Sequence, residues 1–220
     1  MRRALILLLV ASGAGAHTSR DVDYVCPLDG TKFTANTDFT GTTFGKRLDL
    51  KPLGPTPAPW SVPVCPTDHF ALVKKSFTEN EKTVLRKVVA DPEYRKLAAD
   101  HPSYFLVARI LEALHEPPED VAYAYLEASW QSEKGPHYQE ALENALTWFD
   151  RVKEGKAVQI SRLVGIEILR LLGRFDAAAE RLQFVERELK DPRESVERRL
   201  RKERELIEKR DRTPHEIPDD

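Results

Sequence analysis

From residue 78 onward, apolar side chains return at a spacing near 3.6, and proline or glycine interrupts the rhythm after every few helical turns. Thr78-Glu79-Asn80-Glu81 has the form of a capping box and leads into Val84, Leu85, Val88 and Val89. Asp91-Pro92 predicts the end of that helix and the start of the next, since aspartate caps and proline suits a first turn. Pro102 predicts a further start, followed by Tyr104, Val107, Ala108, Leu111 and Leu114. Pro117-Pro118 opens a segment from Val121 to Trp130 that is apolar on nearly every side. Gly135-Pro136 precedes the stripe Tyr138, Ala141, Leu142, Ala145, Leu146, Phe149 and Val152. Gly155 and Gly173 then mark off two more segments, Ile160 to Leu172 and Phe175 to Leu189. Helices of about this length joined by tight turns make an antiparallel array.

The patterning is different on either side. Residues 17–76 are rich in Thr, Pro and Gly, and the prolines between Pro52 and Pro66 exclude a helix there. Lys46 to Lys51 alternates polar and apolar residues as a short half-buried strand does. Phe33, Phe39, Phe44, Trp60 and Phe70 are the candidates for a small aromatic core. Two or three short strands are expected, too few to fold securely without a staple. From Asp191 to Arg212 only Val196, Leu200, Leu206 and Ile207 interrupt a run of Arg, Lys and Glu, which reads as a solvated terminal helix, with a partner-binding helix as the alternative, before a frayed tail from Thr213.

The first sixteen residues follow neither pattern. Met1-Arg2-Arg3, an apolar run from Ala4 to Ala11, and Ala14-Gly15-Ala16 form a basic, an apolar and a small-residue region, as in a cleavable secretory signal. The apolar run is shorter than the roughly 20 residues that span a bilayer. Export, to a periplasmic or extracellular location, is therefore expected, with His17 as the mature N-terminus and no membrane span remaining. Removing Arg2 and Arg3 takes the formal charge from −2 to −4. Positive and negative residues are interleaved along the chain, which argues against a nucleic-acid partner. The resulting division is 1–16 signal, 17–76 cysteine module, 77–190 helical domain and 191–220 charged helix and tail.

Leu171-Leu172-Gly173-Arg174-Phe175-Asp176-Ala177-Ala178, followed by Leu182, resembles the tetratricopeptide pattern. There, glycine ends one helix and a small alanine lets the next pack closely. The fold expected is mainly α: a TPR-like antiparallel array bearing a small N-terminal β and loop module. Stacked helix pairs usually offer a surface to protein or peptide, so a protein partner is expected.

The two cysteines sit in one motif used twice, Cys26-Pro27-Leu28-Asp29 and Cys65-Pro66-Thr67-Asp68, each preceded by valine. A zinc knuckle takes two ligands from one tight turn, usually C-x-x-C; here aspartate holds the second position. This motif, with Phe44-Gly45-Lys46-Arg47-Leu48-Asp49-Leu50-Lys51-Pro52 and Gly54-Pro55-Thr56-Pro57-Ala58-Pro59-Trp60, resembles a bacterial family classed as a domain of unknown function. Its members carry paired C-P-x-C knuckles before a helical region. The resemblance continues more softly to about Trp130, through Ala122-Tyr123-Ala124-Tyr125-Leu126, and implies a zinc-ribbon-like module. Asp29 and Asp68 depart from that pattern.

Three states of the cysteines follow. In an oxidising compartment an even pair favours a disulfide, Cys26–Cys65. The alternative is a zinc site from Cys26, Asp29, Cys65 and Asp68, with His69 or His17 in reserve; free thiols are the third. No G-x-S-x-G, H-E-x-x-H, phosphate loop or dinucleotide fingerprint is present. Catalytic residues are therefore not assigned, and no cofactor other than zinc is expected. The histidines are scattered along the chain, with His115 and His137 near expected helix ends. The function expected is an exported, non-catalytic interaction or scaffold protein, with zinc binding as the competing class.

Overall fold

The computed structural model describes residues 17–155, 157–189 and 192–218. The signal segment therefore lies outside the described residues. Four short strands come first: β1 (Thr18–Val25), β2 (Lys32–Thr40), β3 (Gly45–Lys46) and β4 (Pro52–Leu53). Eight helices follow among the described residues: α1 (Glu79–Ala90), α2 (Pro92–Asp100), α3 (Ser103–Ala113), α4 (Pro118–Gln131), α5 (Tyr138–Phe149), α6 (Ala157–Leu171), α7 (Phe175–Glu188) and α8 (Glu194–Glu208). The chain is mainly helical with a small β region at its N-terminal end.

The helix starts follow the local chemistry of the sequence. Thr78 caps α1 by accepting from the Glu81 amide, and the Glu81 carboxylate accepts in return from the Thr78 amide. Asp91 caps α2 through the Glu93 amide, 2.9 Å away, with Pro92 in the first turn. Gly173 ends α6 with φ 77°, and the Arg174 amide reaches back to the Leu169 carbonyl at 2.8 Å. Successive helices pack as neighbours, α3 on α4, α4 on α5 and α6 on α7. The centre is α4, whose Val121, Ala122, Ala124, Tyr125, Leu126, Ala128, Ser129 and Trp130 are all buried. Glu112 of α3 ties this layer together, accepting from the Tyr125 hydroxyl at 2.8 Å and the Trp148 indole at 2.9 Å.

β1 and β2 form an antiparallel hairpin in the register Tyr24 opposite Phe33, whose rings stack with centroids 5.7 Å apart. The aromatic core expected in this module is not there. Phe44 is 74% exposed, with Phe39 and Trp60 also outward; only Phe70 is fully buried. In its place the module uses the helices. Cys26, Leu28, Cys65 and Phe70 belong to the same continuous core as α1 to α7. A region this small cannot enclose its own apolar interior, so it borrows a helical wall.

Two further expectations change. Lys46 to Lys51 is no extended strand but a tight turn between β3 and β4, with Leu50 at φ 67° and the Arg47 amide bonded to the Lys51 carbonyl. The alternation is real, yet what it buries is Leu48 and Asp49 at the tip of the turn, both 0% exposed. Nor is α8 simply solvated: Arg199, Leu200, Glu203, Leu206 and Ile207 are buried. The tail that follows is docked. The Leu48 amide donates to the His215 carbonyl and the Ile217 amide to the Lys46 carbonyl, both at 2.8 Å.

Candidate functional site

The two C-P-x-D segments fold into equivalent turns. In the first, the Cys26 amide donates to Thr31 and the Gly30 amide returns to the Cys26 carbonyl. In the second, Cys65 donates to Phe70 and His69 returns to Cys65, each within 0.1 Å of its counterpart. Each aspartate accepts from the amide two residues on, Asp29 from Thr31 at 2.9 Å and Asp68 from Phe70 at 3.0 Å. Aspartate thus closes each turn by its own side-chain bond, in the position where a C-x-x-C knuckle has its second thiolate ligand.

The turns face one another and bring Cys26 and Cys65 to disulfide distance, with Cα atoms 5.8 Å apart. Of the other residues considered as ligands, only Asp68 joins them: its carboxylate oxygens lie 3.8 and 3.9 Å from Cys26 Sγ. Asp29 instead turns to the opposite knuckle and accepts from the Thr67 hydroxyl at 2.6 Å. His69 serves through its backbone, whose carbonyl accepts from the Tyr94 hydroxyl of α2. His17 lies 2.7 Å from Asp38 on the hairpin. The four-ligand zinc arrangement is thus not assembled around the cysteines. The twin aspartates also diverge electrostatically. Hydrogen bonds from Thr67 and Thr31 hold the Asp29 carboxyl below the usual range, whereas burial, with the Asp29 charge adding to it, raises Asp68.

The Arg47 to Lys51 turn makes a second polar centre. The Arg47 guanidinium grips Asp49 with two nitrogens, and a third reaches Glu133 at the end of α4 at 2.8 Å. Lys51 meets the other oxygen of Glu133, also at 2.8 Å. Burial opposes the Glu133 charge, but Lys51 and Arg47 outweigh it and its carboxyl falls below the usual range. Arg199 of α8 donates to the Leu48 carbonyl. Behind the turn, fully buried Arg170 holds Glu167 with two bonds of 2.8 and 2.7 Å and donates to the Asp211 carbonyl. Glu203 of α8 stands 3.6 Å from Arg170, and burial drives both Glu167 and Glu203 upward. The motif quoted for the family resemblance therefore acts here as the anchor of the N-terminal module on α4, α8 and the tail.

A recess between α5, α6 and α7 forms an open cavity of about 660 Å³. Its wall includes Leu146, Phe149, Val158, Leu169 and Phe184, and its rim carries Lys153, Arg162, Arg174, Arg181 and Arg187 against only Asp150 and Glu180. Arg181 is held by Asp150 at 2.7 Å and Arg174 by Glu143. Arg162 lies over the Phe184 ring, 5.2 Å from its centroid. Gly165 leaves room for the Arg181 guanidinium, which a Cβ at that position would meet. Sequence periodicity places these arginines on α6 and α7 but does not say that they share one groove.

The histidines hold what the sequence reading missed. The His101 and His137 rings lie against one another, tilted by 33° with centroids 3.9 Å apart, and bring Asp100 with them. Thirty-odd residues of chain separate them, and no local spacing reveals the pair. Comparison with protein-family models, with curated proteins and with solved structures finds no match to the chain.

Proposed function

We propose that this chain is an exported, non-catalytic interaction protein, in which a disulfide-stapled N-terminal module braces a TPR-like helical array. The groove between α5, α6 and α7 takes an acidic segment of a partner protein. The observation that carries this reading is the rim of five cations around an apolar wall, two of them, Arg174 and Arg181, held in place by Glu143 and Asp150. Such a surface attracts a carboxylate-bearing chain and gives its apolar side chains somewhere to go. The turn at Gly173, with buried Ala178 and Leu182 behind it, supports the repeat-like reading of α6 and α7. Export is supported by the cysteines at disulfide distance and by the signal-like first sixteen residues. No helix among the described residues is long and apolar enough to cross a membrane.

Selection of a random displayed peptide library on the immobilised mature chain tests the groove. Enrichment of Asp- and Glu-rich sequences with one or two large apolar residues is expected, with loss of binding in Arg162→Glu/Arg187→Glu and at high salt. Binding that is indifferent to both charge reversals defeats the reading.

One observation keeps the zinc alternative in play. Once reduced, Cys26, Cys65 and Asp68 offer three ligand atoms within 4.8 Å of one another. Zinc bound only by the reduced chain, with two thiols protected from alkylation, would favour it over the staple.

A further inference from the structure

Asp100 and His101 end α2, and His137 caps the start of α5, with Glu140 one turn further on. Between them lies a set of groups whose hydrogen bonding does not close. The His101 Nε2 is 3.0 Å from Glu140 Oε2, and His137 Nδ1 is 3.6 Å from the same oxygen. One carboxylate thus hydrogen-bonds the His101 ring and lies within charge range of the His137 ring. The two nitrogens left over, His101 Nδ1 and His137 Nε2, are buried and make no hydrogen bond. His137 Nε2 has Asp100 Oδ2 only 3.2 Å away, out of line for a hydrogen bond.

No protonation state of the protein alone satisfies this arrangement. A neutral His101 donating from Nε2 leaves Nδ1 as a lone pair with no donor. A charged His101 leaves Nδ1–H with no acceptor and places its charge beside the neighbouring ring of His137. A buried polar atom left unpaired costs free energy in either case. A divalent cation resolves both nitrogens together, because it takes the lone pairs of neutral imidazoles. The remaining N–H groups then point at a carboxylate, which is the usual outer shell of a histidine-bound metal.

We propose that Asp100, His101 and His137 form a zinc site, with His101 Nδ1, His137 Nε2 and an Asp100 oxygen as ligands and Glu140 as the orienting carboxylate. One atom from each of the three residues already lies within 4.8 Å of the others. Ligands of a tetrahedral zinc with bonds near 2.0 to 2.2 Å stand about 3.3 Å apart, so a small closure completes the site. The donor set of two imidazoles and a carboxylate suits zinc rather than calcium or magnesium. Two carboxylates balance the charge of the ion. The Asp100 side chain is 72% exposed and that of Glu140 48%, so the site opens to solvent and leaves the fourth position to water. A metal here clamps the end of α2 to the start of α5. It shares no residue with the cysteine knuckles or the basic groove.

The test uses the mature chain, oxidised and shown free of titratable thiols, so that the knuckles contribute no thiolate. Calorimetric titration with zinc chloride near neutral pH should give one equivalent per chain. Glu140→Gln should weaken binding ten- to a hundredfold, and the pair His101→Asn/His137→Asn should abolish it. Because those variants can disturb the fold, ¹⁵N spectra of the histidine rings in the unaltered chain read the ligands directly. Zinc should shift His101 Nδ1 and His137 Nε2 and leave His17, His69, His115 and His215 in place. An equivalent of zinc that survives the double substitution, shifts confined to other histidines, or no binding at all overturns the proposal.

Discussion

Gly30 and His69 occupy the same station in two equivalent turns, and both hold left-handed backbone, at φ 79° and 59°. Glycine adopts that conformation without cost, whereas an L side chain is strained there by roughly 1 to 2 kcal/mol. A Cβ added at Gly30 would meet nothing within 4 Å, so backbone strain alone decides the outcome. Gly30→Ala should therefore lower the unfolding free energy by about 1 kcal/mol, and His69→Gly should leave it equal or slightly higher. Urea midpoints of the oxidised chain measure both.

A bond between Cys26 and Cys65 closes a loop of sequence separation 39. On the chain-entropy model, such a loop contributes roughly 3 to 4 kcal/mol by restricting the unfolded chain. Reduction, or Cys26→Ser/Cys65→Ser, should lower the denaturation midpoint accordingly. A midpoint insensitive to reductant would show that the knuckles stand without a staple.

Glu127 of α4 is pushed by burial alone to about 7, from an ordinary value of 4.5. The folded state holds this proton more tightly than the unfolded state. Its contribution is present in full below about pH 4.5 and is lost as pH rises through about 7. Glu127→Gln should raise stability by about 1 to 3 kcal/mol at pH 8 and change little at pH 4. Thermal unfolding followed across that range would display the crossing.

Arg170 and Glu167 are both fully buried and doubly bonded. Arg170→Met strands the carboxyls of Glu167 and Glu203 in the core, and a loss of about 3 to 5 kcal/mol is expected. Arg170→Met/Glu167→Met should cost less than the two single changes added together, since the coupled pair leaves together. A double-mutant cycle by chemical denaturation gives the difference.

How much of this was legible follows from the range of each signal. Thr78 with Glu81, Asp91 with Pro92, and Gly173 act within one turn of chain, and the helix boundaries they mark are those of the structure. The cysteine pair was legible because a repeated motif announces a repeated turn. Phe39, Phe44 and Trp60 misled because hydrophobicity says that a ring prefers burial, not that a wall exists to bury it. Arg199 and Glu203 misled in the opposite sense. Charge on a terminal helix predicts solvent unless distant partners neutralise it, and those partners, at Leu48 and Arg170, lie far away in sequence. His101 and His137 meet only because α2 and α5 pack end to start, a relation no window of sequence contains.

The docked tail has a kinetic consequence. Residues 215–217 hydrogen-bond to residues 46–48, across most of the helical chain between them. Contacts of such sequence separation close late, because the entropy of the intervening loop must be overcome first. The Arg47 turn thus stays incompletely bonded until residues 215–217 reach it. That turn, far from residues 215–217 in sequence, is among the last parts of the molecule to become fully native.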